Sequence, residues 1–152
     1  GCTTNATRAT GMVGEYVEDL KSSALSCTSG AIGAVSNGTS AWGDSSGAGI
    51  TPGAGTWDLQ GALSAVGASG TTISQIQIFI GTANGSGTTG NDVNRNWFAL
   101  DYAGTATGNP IVHTPVWRIN TSGATTYWLK ARVTFAVSTL TVTGCLTARR
   151  VY

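Results

Sequence analysis

Charge is scarce in this chain of 152 residues: eight Lys and Arg, seven Asp and Glu and a single histidine give a net charge of +1. So even a balance sets up no overall field to draw in nucleic acid. The acids are too few to build paired carboxylates for glycoside cleavage, since Glu15, Glu18 and Asp19 cluster near the start and the rest lie singly. A hydrolytic triad has to use His113 with an acid such as Asp101, and no nucleophile elbow surrounds any serine, so His113 reads as a strand residue. Cysteine is limited to Cys2, Cys27 and Cys145, an odd count without metal-ligand spacing. Cys27 and Cys145 both fall in candidate strands and are able to be neighbours. Nothing signals an oxidising compartment, so buried free thiols are expected. Neither a signal-peptide pattern nor an apolar run long enough to cross a membrane is present, and no membrane insertion is expected. Catalytic residues, metal and cofactor are all expected to be absent.

What the sequence has is alternation. Tyr127, Leu129, Ala131, Val133, Phe135 and Val137 are apolar at every second position, with Trp128, Lys130, Arg132 and Thr134 between them. Successive side chains of a strand point to opposite faces, so residues 125–137 read as a long central strand with one buried and one wet face. Thr56–Gly67 repeats the pattern with Trp57, Leu59, Gly61, Leu63 and Ala65 on one face, and Gly61 there predicts close approach by another backbone or a large side chain. Ile76, Ile78 and Ile80 point inward from Ile73–Ile80, and Leu140, Val142, Gly144, Leu146 and Ala148 share a face of the last strand.

Shorter strands are expected at residues 14–18, with Tyr16 facing in, at 24–28, and at 97–102. Residues 111–120 carry Pro115, which a central strand does not tolerate, so this strand lies at an edge or carries a bulge. Residues 29–56 and 81–96 read as long loops, the first of a length that is functional or hides a short strand. With 22 glycines and no period-3.6 pattern, the expectation is an all-β, antiparallel β-sandwich, a jelly roll of eight or nine strands over residues 14–152, preceded by a polar arm or linker at 1–13.

Several motifs lack the surroundings their chemistry requires. Gly85–Gly90 matches GxGxxG, but no helix follows to hold a phosphate. Asp92, Asn94 and Asn96 resemble the start of a calcium loop, yet Trp97 and Ala103 stand where that loop needs Gly and Glu. The sequons at Asn5, Asn37, Asn84 and Asn120 are accounted for by composition. After Asp101 there is no acid, while Arg118, Lys130, Arg132, Arg149 and Arg150 remain. This basic tail is able to pair with the acidic front half within one subunit or across a subunit boundary, or to stay solvated.

The aromatics supply the binding candidates. Trp42 and the run Asn94, Arg95, Asn96, Trp97 have the composition of a receptor site, in which a ring stacks on a sugar and Asn or Arg meets its hydroxyls. Trp117 and Trp128, with Lys130 and Arg132, are candidates for a subunit interface on the outer face of the long strand.

Three segments carry a resemblance: Val13-Gly14-Glu15-Tyr16-Val17, Gly55-Thr56-Trp57-Asp58-Leu59-Gln60-Gly61, and the end from Tyr127-Trp128-Leu129-Lys130-Ala131 to Ala148-Arg149-Arg150-Val151. Together they resemble a domain at the C-termini of tail fibre and other virion surface proteins of tailed bacteriophages. The arrangement is also similar to the trimerising jelly roll of tumour necrosis factor-like proteins. Residues 31–50 and 91–97 depart from the pattern, and no catalytic residue carries over. The resemblance implies a non-enzymatic protein of the virion surface, a homotrimer at a fibre or spike tip that binds a host surface glycan or protein. The arm at 1–13 would join other virion proteins. A capsid decoration or cement protein is the alternative, and a polysaccharide-processing enzyme is disfavoured by the scarcity of acids.

Overall fold

A computed structural model of the chain describes residues 13–85, 98–105 and 109–152. Among the described residues nine strands run in order: β1 (Tyr16–Ser26), β2 (Ile32–Ala34), β3 (Gly55–Gly67), β4 (Thr72–Gly81), β5 (Phe98–Thr105), β6 (Ile111–His113), β7 (Trp117–Thr121), β8 (Trp128–Ala136) and β9 (Leu140–Arg150). There is no helix among the described residues. Five strands form one sheet, ordered β1-β9-β3-β6 with β7 also on β3, and four form the other, ordered β2-β8-β4-β5. All pairings are antiparallel. With β6 and β7 taken as one interrupted strand, each sheet alternates strands from the two halves of the chain. That order is the jelly roll.

The core is where the alternation places it. Trp57, Leu59, Leu63 and Ala65 of β3 and Val142, Leu146 and Ala148 of β9 face Ile76, Ile78 and Ile80 of β4 and Leu129, Ala131 and Val133 of β8, all fully buried. Leu129 crosses between the layers into space that two glycines leave open. A Cβ at Gly61 would sit 2.5 Å from Leu129 Cδ1, and one at Gly144 would sit 3.0 Å from Leu129 Cδ2.

Pro115 divides the expected strand at 111–120. β6 pairs with Ala62–Ser64 and β7 with Gly55–Leu59 along the same edge of β3. Between them Thr114 keeps the ladder closed: its N–H donates to Gly61 O at 2.9 Å, and its hydroxyl accepts from Gly61 N–H at 2.9 Å. Residues 29–56 do hide a short strand, β2, against β8.

Other expectations are corrected. The two short strands near the start are one, β1, with a register shift between Lys21 and Leu25. Tyr16 faces out, because its pairing with Arg149 puts it on the solvent side, and its hydroxyl donates to Glu18 Oε2 at 3.1 Å. The central strand covers residues 128–136. Val137 turns away at φ 82° and is exposed, while Tyr127 joins through an isolated bridge to Ile50. The outer face of β8 is not uniformly wet, since Lys130 is completely buried. Cysteine differs as well: Cys27 is a free thiol, but Cys145 is disulfide-bonded.

Candidate functional site

The segment 36–49 has no regular structure and forms a lobe against sheet β2-β8-β4-β5. Its Gly, Ser, Asn and Asp content favours tight turns over ladders. Asp44 organises the tip. Its Oδ2 accepts from Ser40 N–H at 3.0 Å, Ser40 Oγ at 2.8 Å and Ser46 Oγ at 2.5 Å, and its Oδ1 accepts from Ser46 N–H at 2.9 Å. These bonds, the Ser46 hydroxyl first, hold its carboxyl well below the usual carboxylate range. A carboxylate so engaged serves as a structural acceptor that closes the turn.

The lobe is pinned from below by the edge strand β1. Asp19 accepts from Ser36 Oγ and, at 2.8 Å, from Asn37 N–H, while Lys21 Nζ donates to Thr39 O at 2.7 Å. Both charged side chains are buried, where such groups persist when partnered. Ser36 Oγ in turn accepts from Gly49 N–H at 2.9 Å. From the other side, Asn84 Nδ2 donates to Ser45 O at 2.6 Å and Gly47 O at 3.1 Å. The stretch leading into residues 86–97 is therefore tied to this lobe.

Trp42 is half-buried. Its ring lies on Gly33 of β2, where a Cβ would come within 2.4 Å of it, and its indole N–H donates to Ala31 O at 3.1 Å. Asn94, Arg95, Asn96 and Trp97 lie outside the described residues, as do the calcium-like run and most of the glycine loop. Trp128 stands on the outer face of β8, half-buried, with its N–H donating to Gly47 O at 3.1 Å. Lys130, buried beside it, holds its ammonium 5.8 Å from the centroid of Phe79. Arg132 is exposed and donates from Nε to Gly30 O at 2.8 Å. Trp117 is not on an outer face: paired with inward-pointing Leu59, it packs on the core and meets Tyr127 edge-to-face at 5.7 Å.

His113 is exposed on β6, and Asp101 is on β5 of the other sheet, bonded to Gln75 Nε2 at 2.8 Å. The pair nominated for a triad is thus divided between the two layers. Among the described residues no group of three His, Cys, Asp or Glu side chains is placed to hold a metal ion.

A second constellation escaped the sequence. Arg150 Nε donates to Glu15 Oε2 at 2.9 Å, its Nη1 donates to Ala54 O at 2.5 Å, and its guanidinium lies 4.7 Å from the Trp57 ring centroid. Trp57 Nε1 donates to Gly53 O at 2.8 Å, and Gly14 N–H donates to Arg150 O at 2.9 Å. Glu15, Trp57 and Arg150 come from three separate stretches of chain; the available signal was the excess of acid at the front and base at the end.

No family model matches this chain, and no curated protein matches it.

Proposed function

We propose that this protein is a non-enzymatic component of a tailed-bacteriophage virion surface, the trimeric tip of a fibre or spike that binds a glycan or protein of the host surface. The observation that carries the reading is the convergence on Arg150. Parts of the three segments behind the resemblance meet there, Gly14 and Glu15, Trp57, and Arg150, which close on the start of β3. They are scaffold, which accounts for their carrying no chemistry. Of the departures from the pattern, residues 31–50 include the lobe at 36–49 described above, where a specificity can vary without disturbing the core.

The receptor surface takes in the exposed polar tip of that lobe, with Trp42 supporting it, together with the run Asn94 to Trp97. The subunit interface runs over the outer face of β8, where the exposed Arg132, held at Gly30 O through its Nε, and the half-buried Trp128 face outward and Lys130 is buried against Phe79.

Attachment of the purified protein to susceptible cells tests this. The expected result is saturable binding that competes with the phage and falls at least tenfold in Trp97→Ala with unchanged melting. Absence of attachment, combined with binding to tailless shells, would replace the reading by the cement protein; shortening of host polysaccharide would replace it by an enzyme.

A further inference from the structure

We propose that the β6–β7 edge of the five-stranded sheet pairs with the same edge of a second copy of this chain, antiparallel about a two-fold axis between Pro115 and Val116. Among the described residues β6 and β7 pair with β3 alone, so no strand lies on the far side of this edge. The edge is open to solvent: Ile111 is 65% exposed and Val116 57%, and His113, Pro115, Arg118 and Asn120 are exposed with them.

The ladder fixes which backbone groups face out. Ala65 N–H donates to Pro110 O at 3.1 Å, and Thr114 N–H donates to Gly61 O at 2.9 Å. Backbone groups alternate sides along an antiparallel strand. Pro110, Val112 and Thr114 therefore turn theirs to β3, while Ile111 and His113 turn theirs outward. On β3, Thr56 is bonded to the end of the chain: its N–H donates to Tyr152 O at 3.2 Å, and its O accepts from Val151 N–H at 2.9 Å. Gly55, Trp57 and Leu59 are left to bond β7, through Thr121, Ile119 and Trp117. The groups of Arg118 and Asn120 therefore face outward as well. The parity changes between β6 and β7 because Thr114 lies opposite Gly61 and Trp117 opposite Leu59. Pro115 and Val116 together face Gln60, which is a bulge.

These four outward-facing residues are self-complementary. In the two-fold pair, Ile111 falls opposite Asn120 of the second copy and His113 opposite Arg118, and the reverse holds across the axis. Each such pair is able to exchange both of its N–H···O=C bonds. No other two-fold register pairs all four residues. The same register accommodates Pro115. A strand laid straight along this edge finds no N–H at the proline, and an edge proline discourages unrelated strands for that reason. Near the axis Pro115 meets the bulge of the second copy, where the ladder is interrupted in any case. Arg118 brings no loose charge, because its guanidinium is bonded twice to Asp58 of its own chain. Val116 and its copy bring apolar surface to the axis.

A single strand pair buries less than the roughly 800 Å² per partner of a standard interface, so the association is expected at micromolar concentrations. It is independent of the functional reading. It leaves the outer face of β8 uncovered and doubles whatever assembly that face makes, monomer to dimer or trimer to hexamer.

Two measurements on the full-length protein test it. Sedimentation should show the mass doubling as concentration rises through the micromolar range. His113→Pro removes an N–H that β3 does not use, and should weaken the doubling by at least about tenfold with unchanged melting. For the register, Ile111→Cys and Asn120→Cys are prepared as separate proteins. Opposed residues of an antiparallel pair lie within disulfide reach, so mild oxidation of a mixture should link one protein to the other. Either alone should give no more linked product than the unsubstituted protein. An undoubled mass at every concentration, doubling undiminished in a folded His113→Pro, or linkage in the mixture no greater than in each protein alone would each overturn the proposal. If His113→Pro does not fold, the mixture decides.

Discussion

Arg150 and Glu15 stand 135 residues apart in the chain and share an ion pair of 2.9 Å whose two side chains are 8% and 13% exposed. Trp57 covers the guanidinium from the side. Both termini of the sandwich and the start of β3 therefore depend on one charged group. Removing one partner of a pair this well covered leaves the other uncompensated, at a cost of about 3–5 kcal/mol. Arg150→Ala and Glu15→Gln should each lower stability on that scale in urea denaturation. Arg118→Ala breaks the bidentate pair with Asp58, whose arginine side chain is 59% exposed, and should cost far less, because solvent screens an exposed pair. Equal losses from Arg150→Ala and Arg118→Ala would contradict the ranking.

Gly61 and Leu129 interlock across the core. Gly61→Ala would drive a methyl against Leu129 Cδ1, an overpacking that costs about 1–3 kcal/mol. Leu129→Ala alone should cost about 2–5 kcal/mol through the cavity it leaves. The double substitution should lose less than the sum of the two, and chemical denaturation of all four proteins measures the coupling.

Val137 sits at φ 82° with 84% of its surface exposed. A β-branched residue is strained in that region, and little burial is lost on replacing it. Val137→Gly should stabilise the protein by about 1 kcal/mol. No change in the thermal midpoint would show that the β8–β9 turn relaxes without cost.

Burial pushes the Cys27 thiol up to about 12. The unfolded thiol ionises near the ordinary value of about 8.5. Below that pH both states hold the proton and the packing of Cys27 contributes in full. As pH rises further, only the unfolded state loses its proton, and the contribution falls away toward the folded value. Stability should therefore decline between about pH 9 and about pH 11, and Cys27→Ala should flatten that slope. Parallel slopes for the two proteins would contradict the assignment.

Much of the fold was legible in the sequence because period-2 alternation is read directly from residue type. β3, β4 and β9 fall within a few residues of their expected ends, and Gly61 is approached by a large side chain as its place in a buried face implied. Facing was less legible where a strand lies at an edge. Tyr16 looks like a core residue, yet pairing with β9 sends Val17 inward in its place. Trp117 looked like an outward aromatic because Pro115 hides the register of the strand that follows it. Lys130 belongs to an outer face by alternation and is still buried, since cover from outside the sheet leaves no trace in the local pattern. For the candidate site, composition pointed to a loop at 29–56 that holds the lobe at 36–49, whereas the lobe's fastening to Asp19, Lys21 and Asn84 depends on contacts distant in sequence.

The placement of this chain on a virus particle is tested most directly by electron microscopy of phage labelled with gold-tagged antibody against the folded domain. The account predicts gold at the distal ends of fibres or spikes. Label spread over the head shell, or particles without label, would contradict it.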